Sequence, residues 1–225
     1  MKFGFAIALL FLQITVFAQP YKYIDSSKIS ATEKYRQQIK FQPEKALVDI
    51  EAAIPGIVLD IRYATTNNFT NQQVYKQAKA FARQPVVQAL NKVQAELKNK
   101  GLGLKIYDAY RPYAITVKFY EIAKDTTFVA DPRKGSRHNR GCAIDLTLID
   151  LKTGKELDMP TAYDSFSKEA AAGYTNLSSQ KLANRKLLRT VMEQHGFKIY
   201  PSEWWHYDFI GWEQFSLLDV PFEAL

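Results

Sequence analysis

Residues 136–148 read Ser136-Arg137-His138-Asn139-Arg140-Gly141-Cys142-Ala143-Ile144-Asp145-Leu146-Thr147-Leu148. The stretch opens as a polar, charged loop and closes as an apolar run of strand character, with Gly141 where the chain turns from one to the other. Side chains alternate along a strand, so Ala143, Asp145 and Thr147 share one face and Cys142, Ile144 and Leu146 the other. A carboxylate inside such a run is costly to bury unless a positive partner meets it. A metal ion supplies that partner, and His138 is placed to be a neighbour on the same ion.

Beyond this strand, Lys152-Thr153-Gly154-Lys155 reads as a hairpin turn. A hairpin over residues 141–159 predicts a mostly antiparallel sheet rather than a doubly wound parallel one. Other elements follow from period and punctuation. Val86, Leu90, Val93 and Leu97 fall at helical spacing between Pro85 and Gly101, and Leu102, Leu104 and Ile106 alternate into Asp108-Ala109-Tyr110-Arg111-Pro112. A helix is expected over about 113–123, and another from a cap at Ser178 or Ser179 to His195-Gly196. Ile57–Tyr63, Phe197–Tyr200 and Trp204–Ile210 read as strands, and residues 65–73 as a polar surface loop. The expectation is a single α+β domain over 45–225, with a central sheet, flanking helices and a polar, extended or partly helical lead-in over 19–44.

The chain holds three histidines. His195 stands beside Gly196 at a helix end, where a structural role suffices. The other two each lie near a carboxylate: His138 before Asp145, and His206 in Glu203-Trp204-Trp205-His206-Tyr207. Two histidines and one carboxylate with an open position form an accepted catalytic zinc set. Residues three apart on a regular strand face opposite ways, so Glu203 and His206 share a site only if the chain is irregular there, which Pro201 favours. His206 can then hold the metal while Glu203 stays unligated beside the attacking water, the position of a general base. Arg111, set by Pro112 at a strand end, is placed to meet a developing oxyanion.

The chain has 225 residues and a formal charge of +7, or +6 without Lys2. Its basic residues are scattered, so no nucleic-acid patch stands out. Lys2, the apolar run Phe3–Phe17 and Ala18 have the pattern of a secretory signal peptide, 1–18, cleaved before Gln19. The run is short for a membrane span, so no stable membrane insertion is expected after cleavage, and the location is secreted or periplasmic. A single cysteine, Cys142, makes no intramolecular disulfide.

These motifs together closely resemble the zinc D-alanyl-D-alanine dipeptidases of the VanX type, within a wider group that includes D-Ala-D-Ala carboxypeptidases and the hedgehog domain. The resemblance also takes in Arg62-Tyr63-Ala64-Thr65, Val74-Tyr75, Asp108–Pro112 and Tyr163-Asp164-Ser165-Phe166, and covers about residues 45–210. It implies His138, Asp145 and His206 as ligands of one zinc ion, Glu203 as catalytic acid/base and Arg111 as transition-state stabiliser. It further implies Tyr63, Tyr75, Ser136 and Asp164 as holding the dipeptide D-Ala-D-Ala, Asp164 at its ammonium. Pro160 stands where the family pattern suggests Gly, which bears on the loop carrying Asp164. The competing readings are a carboxypeptidase or endopeptidase on peptidoglycan stem peptides, and a non-catalytic zinc-stabilised binding domain. Glu203 and Arg111 weigh against the second, since binding alone requires neither. A non-haem iron oxygenase uses a similar ligand set, but with tighter spacing.

Overall fold

The computed structural model describes residues 21–123 and 129–225; the expected signal peptide lies outside them. In chain order the elements are β1 (Ile29–Ala31), α1 (Thr32–Phe41), β2 (Leu47–Asp49), α2 (Ile50–Ala53), β3 (Val58–Leu59), β4 (Phe81–Arg83), α3 (Gln84–Lys98), β5 (Leu102–Asp108), α4 (Tyr113–Ala123), β6 (Ala143–Asp150), α5 (Ser179–Gln194), β7 (Phe197–Ile199), β8 (His206–Phe209) and β9 (Leu217–Asp219). Short 3₁₀ turns fall between several of them. No helix among the described residues is long and apolar enough to cross a membrane.

The helices form where periodicity and caps predict them. α3 starts on Gln84-Pro85 and buries Val86, Leu90, Val93 and Leu97. In α5 the Ser178 hydroxyl accepts the Lys181 N–H, and Leu188, Val191 and Met192 are buried. These side chains share one apolar core with Leu104 and Ile106 of β5 and with Ile144, Leu146 and Leu148 of β6. Each such side chain, taken fully out of water, contributes roughly 1.5–3 kcal/mol. The opposite face of β6 is thereby left to carry Asp145 towards a cavity.

The main sheet has the order β3-β5-β6-β8-β7. β5–β6, β6–β8 and β8–β7 are antiparallel, and β3–β5 is parallel. Register builds the site. Asp145 of β6 is opposite Asp108 of β5 on one side and His206 of β8 on the other. The β5–β6 register shifts between Ile106 and Asp108. Such a bulge re-aims the side chains that follow it, here Asp108 and the turn carrying Arg111.

Two smaller sheets close the periphery. β2 pairs antiparallel with β4, and β1 pairs parallel with β9. The lead-in is therefore folded onto the domain, with Tyr35 of α1 buried and its hydroxyl accepting the Leu47 N–H. Arg83 at the end of β4 is fully buried. Its guanidinium donates to the carbonyls of Lys45, Arg140 and Ser216, and its own N–H donates to the Gly141 carbonyl. One side chain thus ties β2, the His138 loop and the approach to β9 together.

Two strand expectations are corrected. The segment 57–63 forms a strand only at Val58–Leu59, keeps one more bond to β5 from the Asp60 N–H to the Ile106 carbonyl, and then winds into a 3₁₀ turn, Arg62–Ala64. The Tyr63 carbonyl receives the N–H groups of Val74 and Tyr75 instead of a sheet neighbour, so the β-branched run ends where Tyr63 enters the cavity. Trp204 and Trp205 precede β8 rather than belonging to it. Pro201 brings no N–H, Glu203 N–H closes a turn on Tyr200, and Trp204 N–H leaves the sheet for Ala170.

Candidate metal centre and active-site cavity

His138 opens a 3₁₀ turn ending at Gly141, whose φ of +69° is a left-handed conformation that glycine adopts without steric cost. A Cβ at Gly141 would lie 2.6 Å from Leu47 Cδ2. The loop is held from two sides: Arg111 N–H donates to the His138 carbonyl, and Asn139 Nδ2 donates to the Arg111 carbonyl and to Thr116 Oγ1. His138, Asp145 and His206 are all buried, and each directs one potential ligand atom at a common point.

The hydrogen bonds define which ring nitrogens are free. His138 Nδ1 is 2.6 Å from the Ala109 carbonyl, so it is the protonated nitrogen and Nε2 carries the lone pair. His206 Nε2 is 2.9 Å from Asp208 Oδ1, which leaves Nδ1 as its lone-pair atom. Between the free atoms the distances are 3.2 Å (His138 Nε2 to His206 Nδ1), 3.4 Å (His138 Nε2 to Asp145 Oδ1) and 3.0 Å (His206 Nδ1 to Asp145 Oδ1). A tetrahedral ion with ligands at ~2.0–2.2 Å requires edges of ~3.3–3.6 Å. The triangle is a face of such a tetrahedron to within a few tenths of an ångström. Asp145 Oδ1 is buried without a hydrogen bond of normal geometry, the orphan such an ion would satisfy, while Oδ2 accepts from Tyr163 at 3.0 Å. The residues fit a metal.

The electrostatics give the same result. Burial pushes the Asp145 carboxyl upward, but the His138 and His206 rings outweigh it and hold it well below the usual range. Burial disfavours charge on His206, yet Asp145 and Asp208 raise it well above an ordinary imidazole. The carboxylates around His206 thus favour positive charge at this site.

Glu203 Oε2 is 3.6 Å from His206 Nδ1, outside the ligand triangle but beside it. Burial, assisted by the Asp145 charge, raises its carboxyl to about 7. The cavity in front of the triangle is lined by Glu203, Arg111, Asp164, Tyr63, Ser136 and Trp205, with Phe69, Phe119, Phe166, Tyr200 and Arg137 among the other walls. Arg111 is buried, its Nε and Nη2 both donating to Asp108 Oδ2 at 3.0 and 2.6 Å. Its guanidinium lies over Phe119 and Tyr63. Asp164 accepts from the Tyr63 hydroxyl at 2.8 Å and sits at φ +60°.

The D-ala-D-ala dipeptidase family model matches residues 43–221. The chain belongs to that family. The D-alanyl-D-alanine dipeptidase of Escherichia coli is 34% identical over 178 residues, 79% of this chain and 92% of that protein. The Enterococcus faecium protein of the same name is 30% identical over 178 residues, 70% of this chain and 88% of its own length. Among solved structures, the LdcB LD-carboxypeptidase aligns over 75% of this chain and 69% of its own at 20% identity, with a TM-score of 0.43. This D-ala-D-ala dipeptidase family member is thus a peptidase by descent.

Of the nine residues singled out in the sequence, the fold brings eight to the cavity. Tyr75 is the exception. It does not line the cavity; its buried hydroxyl donates to Asp108 Oδ1 at 2.9 Å, behind Arg111, because the segment after Tyr63 turns back on itself. Four residues have roles that sequence reasoning missed: Tyr163 on Asp145, Asp208 on His206, Asp108 on Arg111, and Arg137 in the cavity wall. Tyr163, Asp108 and Arg137 stood inside quoted motifs, but no spacing rule marks them.

Proposed function

We propose that this chain is a zinc-dependent dipeptidase that hydrolyses D-alanyl-D-alanine outside the cytoplasm. The observation that carries the reading is the position of Glu203: next to the metal-facing nitrogen of His206, yet outside a ligand triangle of zinc dimensions. The family membership and the names of the relatives support the substrate.

His138, Asp145 and His206 would hold the zinc, which supplies Lewis acidity towards a water and the scissile carbonyl. Glu203 takes the proton of the attacking water on its carboxylate and returns it to the departing amine. Its raised proton affinity suits an acid/base that must both accept and release near neutrality. Arg111, fixed by Asp108, presents its charge to the carbonyl oxygen as that oxygen becomes negative. Asp164, steadied by Tyr63, receives the substrate's ammonium, and Ser136 lies in the wall beside the ligand loop. An ammonium seat fits a free dipeptide and not an internal bond of a longer chain. Phe69, Phe119, Phe166 and Trp205 wall the cavity and thin out the water around these charges.

The test is turnover with metal content and melting temperature. Glu203→Gln should retain zinc and fold while losing ~10²–10⁴-fold in turnover; Arg111→Ala should lose on the order of 10²–10³-fold. Near-normal turnover by Glu203→Gln would falsify the mechanism. Comparing D-Ala-D-Ala with L-Ala-L-Ala and a stem pentapeptide assigns the substrate, and preferential cleavage of the pentapeptide would favour the carboxypeptidase reading. The compartment rests on Lys2, the run 3–17 and Ala18. N-terminal sequencing of native protein should start at or near Gln19, and a cytosolic protein retaining Met1 would overturn it.

A further inference from the structure

A free dipeptide carries opposite charges at its two ends, so a cavity selecting it needs a cation as well as Asp164. Among the described residues, the arginines lining the cavity are Arg111 and Arg137. Arg111 is engaged: two of its nitrogens are bound to Asp108 and the residue is buried. Arg137 is under-used. Its nearest acidic atom is Asp208 Oδ2, 3.6 Å from Nε, and that buried Nε makes no hydrogen bond. The side chain remains 40% exposed.

Arg137 is nevertheless held in place. Its guanidinium lies 4.9 Å from the Trp212 ring centre and 6.0 Å from that of Tyr200. Aromatic contacts of this kind orient the guanidinium without using up its N–H donors. The backbone is also pinned, the Arg137 carbonyl accepting from both Arg140 and Cys142. Arg137 and Asp164 have separate sets of neighbours. Asp164 is bonded to Tyr63, whereas Arg137 stands with Asp208, Tyr200 and Trp212 on the His206 side of the ligand triangle. A planar, pre-oriented guanidinium with free donors is the side chain best matched to a carboxylate.

We propose that Arg137 seats the terminal carboxylate of the substrate and so restricts cleavage to the peptide bond next to a free C-terminus. The proposal rests on the dipeptidase reading above. Asp208 then has two tasks, orienting His206 through Oδ1 and balancing Arg137 through Oδ2.

The experiment uses the zinc-loaded full chain, with D-Ala-D-Ala and its C-terminal amide as substrates for the wild type, Arg137→Gln and Arg137→Lys. The wild type should prefer the acid. In Arg137→Gln the KM for the acid should rise about 10- to 10²-fold, the size of a lost charged hydrogen bond. Its kcat and its cleavage of the amide should change far less, and Arg137→Lys should recover part of the preference. A wild type indifferent to the amide, or an Arg137→Gln protein that keeps the preference, would overturn the assignment. So would loss of zinc from Arg137→Gln, which would make Arg137 a support of the metal instead. A wild type that cleaves neither compound would sink the dipeptidase reading itself, and this proposal with it.

Discussion

Asp164 combines two unfavourable features in one residue. Its φ of +60° is a left-handed conformation uncommon for a side-chain-bearing residue, and burial lifts its carboxyl from 3.8 to about 8. Strain and desolvation together at a cavity wall are what a binding site retains at the expense of stability. The pH dependence has a definite sign. Because the folded-state value lies above the ordinary one, the folded protein binds the proton more tightly than the unfolded chain. Ionisation therefore opposes folding, from nothing below about pH 4 to its full extent above about pH 8. Asp164→Asn removes that cost while keeping an acceptor for the Tyr63 hydroxyl. In metal-free protein, the melting temperature of the variant minus that of the wild type should grow as the pH rises from 4 to 8 and then level off, while dipeptide cleavage is lost. A difference that stays constant across that range would show that Asp164 ionises normally in the fold.

The loop between α4 and β6 does most to shape the site, and Gly141 is where it is least tolerant. A side chain there meets both a left-handed φ and a contact with Leu47 Cδ2 at 2.6 Å. Gly141→Ala should cost on the order of 1–3 kcal/mol, a fall in melting temperature of ~2–4 °C per kcal/mol for a chain of this size. His138 stands three residues away, so zinc should also be held less tightly. Thermal melts with and without zinc check both, and an unchanged melting curve would mean the loop relaxes freely. This element was also the most legible in the sequence. A carboxylate in an apolar strand needs an explanation, and the polar-to-apolar switch at Gly141 locates the turn. Irregularity near Glu203 was legible too, because Pro201 cannot donate to a ladder. What stayed hidden depends on pairing. Asp208 matters because β8 meets β6 in one register, and Asp108 because a bulge turns it towards Arg111. The overlong strand over 57–63 has the same origin: the β-branched residues lie before Arg62, while Arg62, Tyr63 and Ala64 form a 3₁₀ turn whose Tyr63 carbonyl is taken by Val74 and Tyr75 outside the sheet.

At the scale of the whole molecule, the ligand triangle concentrates unmet charge in the middle of the main sheet. Its three residues come from the loop before β6, from β6 and from β8. An ion bound there adds a direct link among elements already joined by sheet pairing and by the hydrogen bonds of the His138 loop. Chelation should therefore lower the melting temperature of the whole domain, and added zinc should restore it. Saturation at about a hundredfold excess over Kd is worth ~2.7 kcal/mol of stability. Calorimetry on the chelated and reloaded protein checks this, and a transition indifferent to zinc would place the ion's binding outside the folding equilibrium. The α+β class was legible because helix and strand signals are local, but the antiparallel centre is built by the β5–β6 and β6–β8 pairings, the expected hairpin over 141–159 adding only the Ile149–Glu156 bridge. The sequence did not supply the β1–β9 pairing, which joins residues near opposite ends of the chain and leaves no periodic trace.

That pairing, Ile29 against Leu217, also governs timing. A contact so distant along the chain is slow to form, and here it waits on residues made late in synthesis. Glu203 and His206 are also among the late arrivals. A chain still lacking residues 203–219 holds His138 and Asp145 but has neither the cavity wall that Glu203 and His206 supply nor the strand that pairs with β1.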